Sequence, residues 1–189
     1  MKELKFIHIT KTAGTSIEDV AKEAGINWGR FHQEYGWWHE LPSRKSRALL
    51  QKYDWFMVVR NPYSRIVSEF HCQWGGVGDN VHEYDRNGFN QYIQNAIKTR
   101  ANRPRGDHYT PQHLYKIGVP GLNILKFEDL QTDFSELMTR YNMKISLDKY
   151  SNTSKARKRF GVNDLGPNSI KLINEVYALD FSVFKYRLK

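Results

Sequence analysis

Cysteine is nearly missing from this sequence: Cys72 stands alone among 189 residues. One thiol cannot close an internal disulfide, and it cannot make a cysteine zinc site by itself, which fits a reducing compartment. Long apolar runs are missing too. No stretch of about 18 residues is apolar enough to span a bilayer, and the basic start MKELKF leads into no signal-peptide apolar segment. The chain is therefore expected to be soluble and cytoplasmic, with the Golgi lumen as the alternative if it is a catalytic fragment of an anchored parent. Acidic residues are the scarcer charge, 20 against 29 Lys and Arg, for a net charge of +9. That balance favours anionic partners: nucleic acid, an acidic polysaccharide or a phosphate-rich nucleotide. The basic residues are spread along the chain, and no repeat, low-complexity segment or nucleic-acid recognition motif accompanies them. A hydrophobic content of 40% is enough for one substantial core, so a single domain over residues 1–189 is expected.

What is present is an alternation of apolar runs and helical stripes. Residues 4–9 read as a buried strand, followed by a helix with Ile17, Val20, Ala21 and Ala24 on one face and Gly25 to end it. A second such unit follows. Its apolar run, Trp55 to Val59, ends at Arg60; Asn61 suits a helix cap, Pro62 the first helical position, and Ile66, Val67 and Phe70 an apolar face. Between the two, residues 43–53 suggest a short helix capped by Ser43. The glycines at 75–78 suggest a mobile loop. Phe89, Tyr92, Ile93, Ala96 and Ile97 form another stripe, and residues 98–109 after it read as a long polar loop. A third strand spans 123–127, and the next helix carries Phe134, Leu137, Met138 and Tyr141 on one side. A closing helix starts near Pro167. Strands alternating with helices predict an α/β fold, a three-layer α/β/α arrangement around a parallel sheet.

The loop after the first strand, TKTAGTS, carries the chemistry. Backbone N–H groups at a helix start, together with the helix dipole, favour an anion above the strand end. Gly14 allows close approach, Lys11 adds a charge, and Thr12, Thr15 and Ser16 add hydroxyls. The plainer reading makes Thr15 or Ser16 only an N-cap. Nucleotide hydrolases with a Walker motif read G-x-x-x-x-G-K-[ST], with an acidic residue after a second strand to serve a magnesium ion. Neither feature is here, and Arg60 stands where that acid belongs. The expected ligand is thus a nucleotide neutralised by protein cations, with no metal. A P-loop kinase is the rival enzyme, and a non-enzymatic polyanion or nucleic-acid-binding module is the rival of another class.

Taken together, HITKTAGTS and VVRNPYSRIVSEF make the chain resemble the sulfotransferases that use 3′-phosphoadenosine 5′-phosphosulfate (PAPS), in particular the carbohydrate-sulfating, glycosaminoglycan-type branch. YTPQHLY from Tyr109, ILKFEDLQTDFSELM from Ile124 and the ending INEVYALDFSVFKY resemble later blocks of that family, in order, while Trp74 to Arg105 departs from it. The resemblance implies a P-loop-like fold. It implies that Lys11, Thr12, Ala13, Gly14, Thr15 and Ser16 hold the 5′-phosphosulfate, that Arg60 and Ser68 hold the 3′-phosphate, and that a late basic loop with Ser154, Lys155 and Arg157 closes over the nucleotide.

Sulfuryl transfer is an in-line displacement, so an enzyme must activate a hydroxyl, align it and stabilise the leaving phosphate. Lys11 is the candidate for the last task. For the base, a histidine has a suitable ordinary pKa, and the family's histidine bases lie in the segment corresponding to His39; Glu40 and Glu34 are the carboxylate alternatives. His8 reads as a packed residue and His71 as a structural one, while His108 and His113 flank the YTPQ block where an acceptor would pass. Trp28, Trp37, Trp38 and Trp74 suit either sugar stacking or the core, and the cations from Lys98 to Arg105 suit either a glycan or solvent. The expected reaction moves a sulfuryl group from PAPS to a carbohydrate hydroxyl and leaves the bisphosphate product PAP. The acceptor, anionic sugars included, is not named by the sequence, nor is the oligomeric state; no nucleic acid and no membrane segment is expected.

Overall fold

Three short runs rich in aliphatic and aromatic residues form the sheet. The computed structural model describes residues 2–28, 39–103, 106–147 and 159–189. Among them Leu4–Ile7 is β1, Asp54–Val59 is β2 and Asn123–Lys126 is β3. All pair in parallel in the order β1-β2-β3, with Phe6 opposite Phe56 and Val58 opposite Leu125. Parallel sheets are covered on both faces, and this one obeys the rule. Leu4, Phe6, Phe56, Val58 and Leu125 share one core cluster, while Trp55, Met57 and Val59, which alternate with them along β2, are buried as well. The α/β class read from the sequence is therefore the one observed.

The chain divides into two compact units. The first, Met1–Arg60 with Leu114–Thr153, holds the sheet. Its helices are α1 (Gly14–Glu23), α2 (Arg47–Lys52) and α5 (Leu130–Arg140). On α1 the residues Ile17, Val20 and Ala21 turn inward, but Ala24 is exposed. The helix ends at Gly25, whose φ of 73° suits glycine, with Ile26 N–H donating to the Ala21 carbonyl and Gly25 N–H to that of Lys22. That is a Schellman ending. The cap of α2 is Ser46 and not Ser43, since Ser46 Oγ accepts from Leu49 N–H at 3.1 Å. Ser43 instead lies in a separate 3-10 turn begun by Pro42. On α5, Phe134, Leu137 and Met138 are buried, and Trp28 joins the core edge-on to Phe56.

The second unit, Asn61–His113 with Ser154–Lys189, is helical. It contains α3 (Pro62–Phe70), α4 (Arg86–Arg100), α6 (Pro167–Val176) and α7 (Ala178–Val183). Phe70, Phe89, Ile93, Ile97, Phe160 and Ile173 belong to its core, with the Phe89 and Phe160 rings stacked 4.6 Å apart. One expectation needs correction here. Lys98 to Arg100 are the last turn of α4, not loop, where cations offset the helix dipole. Residues 75–78 form a hydrogen-bonded turn: Gly76 N–H donates to the Cys72 carbonyl and Val77 N–H to that of Phe70, both at 2.8 Å. A Cβ on Gly76 would lie 2.0 Å from the Glu69 carbonyl oxygen, so glycine is required by close approach.

The YTPQH block is fastened by one buried acid. Asp180, on α7, accepts from the N–H groups of Gln112 and His113 and pairs with His113 Nδ1, each at 2.8 Å. Tyr177 donates its hydroxyl to the Tyr109 carbonyl at 2.6 Å. Burial pushes the hydroxyls of both tyrosines far above the ordinary tyrosine range. No helix among the described residues is long and apolar enough to cross a membrane.

Candidate functional site

Parallel strands bring their carboxyl ends to one edge, the usual ligand side of an open α/β sheet. In the first unit three features gather there: the loop after β1, Arg60 after β2 and Phe127 after β3.

The loop takes an unusual path for non-glycine residues. Lys11 and Ala13 both adopt left-handed backbone, with φ of 59° and 67°. Ala13 is the N-cap of α1, so the cap position has no side-chain acceptor and no acid stands in the first turn. Thr15 and Ser16 consequently lie inside the first turn, and neither caps the helix. The opening N–H groups of a helix have no intrahelical partner, and no acidic side chain of the first turn offsets the dipole's positive end here. Thr12 is wholly buried, and its hydroxyl donates to the Ile9 carbonyl at 2.8 Å. What Thr12 can offer a ligand is its backbone. Thr15 is exposed, and Lys11 and Ser16 are half-buried. Gly14 is buried under the His8 ring, where a Cβ would come within 2.2 Å of the imidazole.

His8 organises the region, a role that composition and spacing did not reveal. It lies just past β1, buried, with Nδ1 3.1 Å from Glu18 Oε1 on α1. Its carbonyl meets Nδ1 of His39 at 3.0 Å, and the two rings meet edge to face, 4.4 Å between centroids. A carbonyl only accepts, so Nδ1 of His39 donates to it. The Tyr115 hydroxyl donates to the His39 carbonyl at 3.0 Å, holding a residue whose φ is 65°. Glu40 is engaged with Arg44 and Lys45, each at 3.3 Å. Burial holds Lys45 below the ordinary lysine range, against the pull of Glu40.

Arg60 spans the strand ends. Its Nη1 donates to the Lys11 carbonyl at 3.1 Å, and its guanidinium lies 4.0 Å from the centre of the Phe127 ring. The structure thus ties Lys11 to Arg60 and His39 to the loop through His8. Ser68 belongs to the second unit, on α3, and is buried. Ser154, Lys155 and Arg157, like Glu34, Trp37 and Trp38, lie outside the described residues. Of the remaining candidates, Trp28 is core and Trp74 is exposed. His71 meets the Val67 carbonyl through Nδ1 at 2.8 Å and receives the Phe160 N–H on Nε2. His108 pairs with Glu69 at 2.8 Å. Burial works against charge on His108, but hydrogen bonds to Cys72 and Glu69 and the Glu69 charge outweigh it and hold the imidazole up, at about 9.

Residues 2–187 match the Sulfotransferase family, while no curated protein and no solved structure matches the chain significantly. A family match over nearly the whole length, on a chain with a parallel α/β sheet, leads to one conclusion: the chain belongs to the sulfotransferase family.

Proposed function

We propose that the protein transfers the sulfuryl group of PAPS to a hydroxyl of a carbohydrate, with His39 as the base. The observation that carries the reading is the start of α1: a ten-residue helix with no side-chain cap, no acid in its first turn and Lys11 in the loop before it. That donor set fits a phosphosulfate, which needs N–H groups and a cation and no metal.

PAPS, when bound, supplies the sulfuryl group and a phosphate that leaves. The N–H groups of the first turn and Lys11 orient the phosphosulfate, and Lys11 answers the charge that grows on the leaving oxygen. Nε2 of His39 takes the proton of the acceptor hydroxyl, while its Nδ1–H stays on the His8 carbonyl. The acceptor oxygen forms its bond to sulfur as the bond from sulfur to the phosphate oxygen breaks. Arg60 is assigned to the 3′-phosphate of the nucleotide. Its hold on the Lys11 carbonyl and the Phe127 ring reduces the side-chain freedom to be lost on binding. Ser68, Ser154, Lys155 and Arg157 are assigned to the nucleotide by the resemblance alone.

The test is transfer of labelled sulfur from PAPS to a panel of glycans, with PAP affinity measured with and without magnesium. Transfer to at least one sugar and magnesium-independent binding of PAP are expected. Loss of PAP binding on chelation would overturn the donor assignment; transfer only to non-sugar hydroxyls would overturn the acceptor class.

A further inference from the structure

A second constellation lies in the helical unit, among residues that the proposed reaction does not use. Glu69, on the last turn of α3, Cys72, just past its end, and His108 each turn one ligand-type atom to a common point. These atoms all lie within 4.8 Å of one another. Glu69 is fully buried, Cys72 is 7% exposed and the His108 side chain 19%. His71, between the two α3 residues, faces the Val67 carbonyl and the Phe160 N–H and is not part of the group.

The surroundings hold the three side chains in place. The turn after Cys72 passes so close to His108 that a Cβ on Gly75 would lie 2.2 Å from its Nδ1. Arg100 joins the two segments, donating to the Gly75 carbonyl and pairing with Asp107 Oδ1, both at 2.6 Å. Arg65 donates to the His108 carbonyl at 2.8 Å. The backbone on both sides is therefore fixed before any ligand arrives.

We propose that Glu69, Cys72 and His108 form a binding site for one divalent transition-metal cation of the zinc type. The ligand chemistry selects that class: thiolate and imidazole suit zinc or cobalt, whereas calcium and magnesium need oxygen shells. Bonds of about 2.0–2.3 Å in a tetrahedral shell set ligand atoms about 3.3–3.8 Å apart, so a pair near the 4.8 Å bound closes by about 1 Å on binding. Charge also balances. A divalent cation with one carboxylate, one thiolate and one neutral imidazole sums to zero, so no uncompensated charge is buried. The protons displaced are those of the Cys72 thiol and of His108. Three protein ligands leave a fourth position for water.

Because Cys72 is the only cysteine, a thiolate signal on a metal can come from nowhere else in the chain. The experiment adds Co²⁺ to the full-length, chelator-treated protein in mildly alkaline buffer, followed by absorption spectroscopy and then by Zn²⁺ competition. Expected are one Co²⁺ per chain, a thiolate-to-cobalt charge-transfer band, its loss on adding Zn²⁺, and a higher Tm with Zn²⁺. Cys72→Ser should lose the band and the Tm gain, and His108→Gln should weaken binding by at least about tenfold, with far-UV circular dichroism showing both variants folded. Three results would each overturn the site: no band on folded wild-type protein at saturating Co²⁺, one ion shared by two chains, or equal binding in wild type and Cys72→Ser. If Cys72→Ser does not fold, His108→Gln carries the test alone, and unweakened binding there counts against the proposal.

Discussion

The chain contains two strand-to-helix turns that look alike in sequence and begin their helices in opposite ways. After β1, helix α1 opens on left-handed Ala13 with no side-chain cap. After β2, helix α3 opens on Asn61, whose Oδ1 accepts from Tyr63 N–H at 3.0 Å, with Pro62 in the first position. The second helix satisfies its own start and has one fewer N–H to offer. The first leaves its start open to an anion. What the second turn contributes is therefore a side chain, Arg60, and not a helix terminus. On the proposed reading, two neighbouring motifs of one sheet serve one nucleotide by different physics, dipole and backbone in one, a fixed guanidinium in the other.

Breaking the first turn should cost most. Lys11→Ala is expected to lower turnover about 10²- to 10³-fold, the scale of one lost oxyanion-type donor, while PAP affinity falls less. Single-turnover rates beside equilibrium titration measure the two, and equal losses would remove Lys11 from the transition state. Next is the base. His39→Ala should lose about 10²-fold with PAP affinity retained, and the wild-type acid limb of kcat/KM should vanish, because only the neutral ring accepts a proton. An unchanged acid limb would pass the role to Glu40 or Glu34.

The second turn should respond by ligand and not by rate. Arg60→Ala and Ser68→Ala are each expected to weaken PAP by about 1.5–3 kcal/mol, the worth of a charge-assisted hydrogen bond, and to leave adenosine 5′-phosphate almost unaffected. Calorimetry on both nucleotides decides it; parallel losses would make these residues structural.

The helical unit that α3 belongs to offers a pH readout. Tyr109 and Tyr177 have hydroxyls whose folded pKa is raised by burial above the unfolded value near 10. Above about pH 10 the unfolded chain releases those protons and the native chain keeps them. Their contribution is thus complete below that pH and falls by at most about 1.4 kcal/mol per pH unit per tyrosine above it. Urea midpoints between about pH 9 and pH 11 test this, and Tyr177→Phe should flatten the slope. The smallest effect is at the cap. Asn61→Ala should cost about 1 kcal/mol of stability and leave PAP affinity untouched, which would confine the capped helix start to folding.

Much of this was legible in the sequence because it is local. The strand ending at Arg60, the Asn61-Pro62 start, the Gly25 stop and the apolar stripes on α4 and α5 all follow from residues within a turn or two of one another. Local signals failed where two were in competition: Ser43 and Ser46 both suit a cap, and only the turn begun at Pro42 decides between them. Polar partners far apart in sequence could not be read at all. His8 meets Glu18 and His39, and Glu69 meets His108 across 39 residues. Nothing in spacing or composition announces such pairs. They arise when the sheet edge and the turn after α3 bring their neighbours together.

The position of Gly14 under the His8 ring has a genetic consequence. His8 touches the loop after β1 through its ring, α1 through Glu18 and His39 through its carbonyl. A methyl group at residue 14 would push on all three at once. Gly14→Ala and His39→Ala should therefore mask one another, the double variant being little worse than the more damaged single one, as expected for residues that act as a unit. In a family of such enzymes drifting under selection, residues 8, 14, 18 and 39 would be expected to change in concert or not at all.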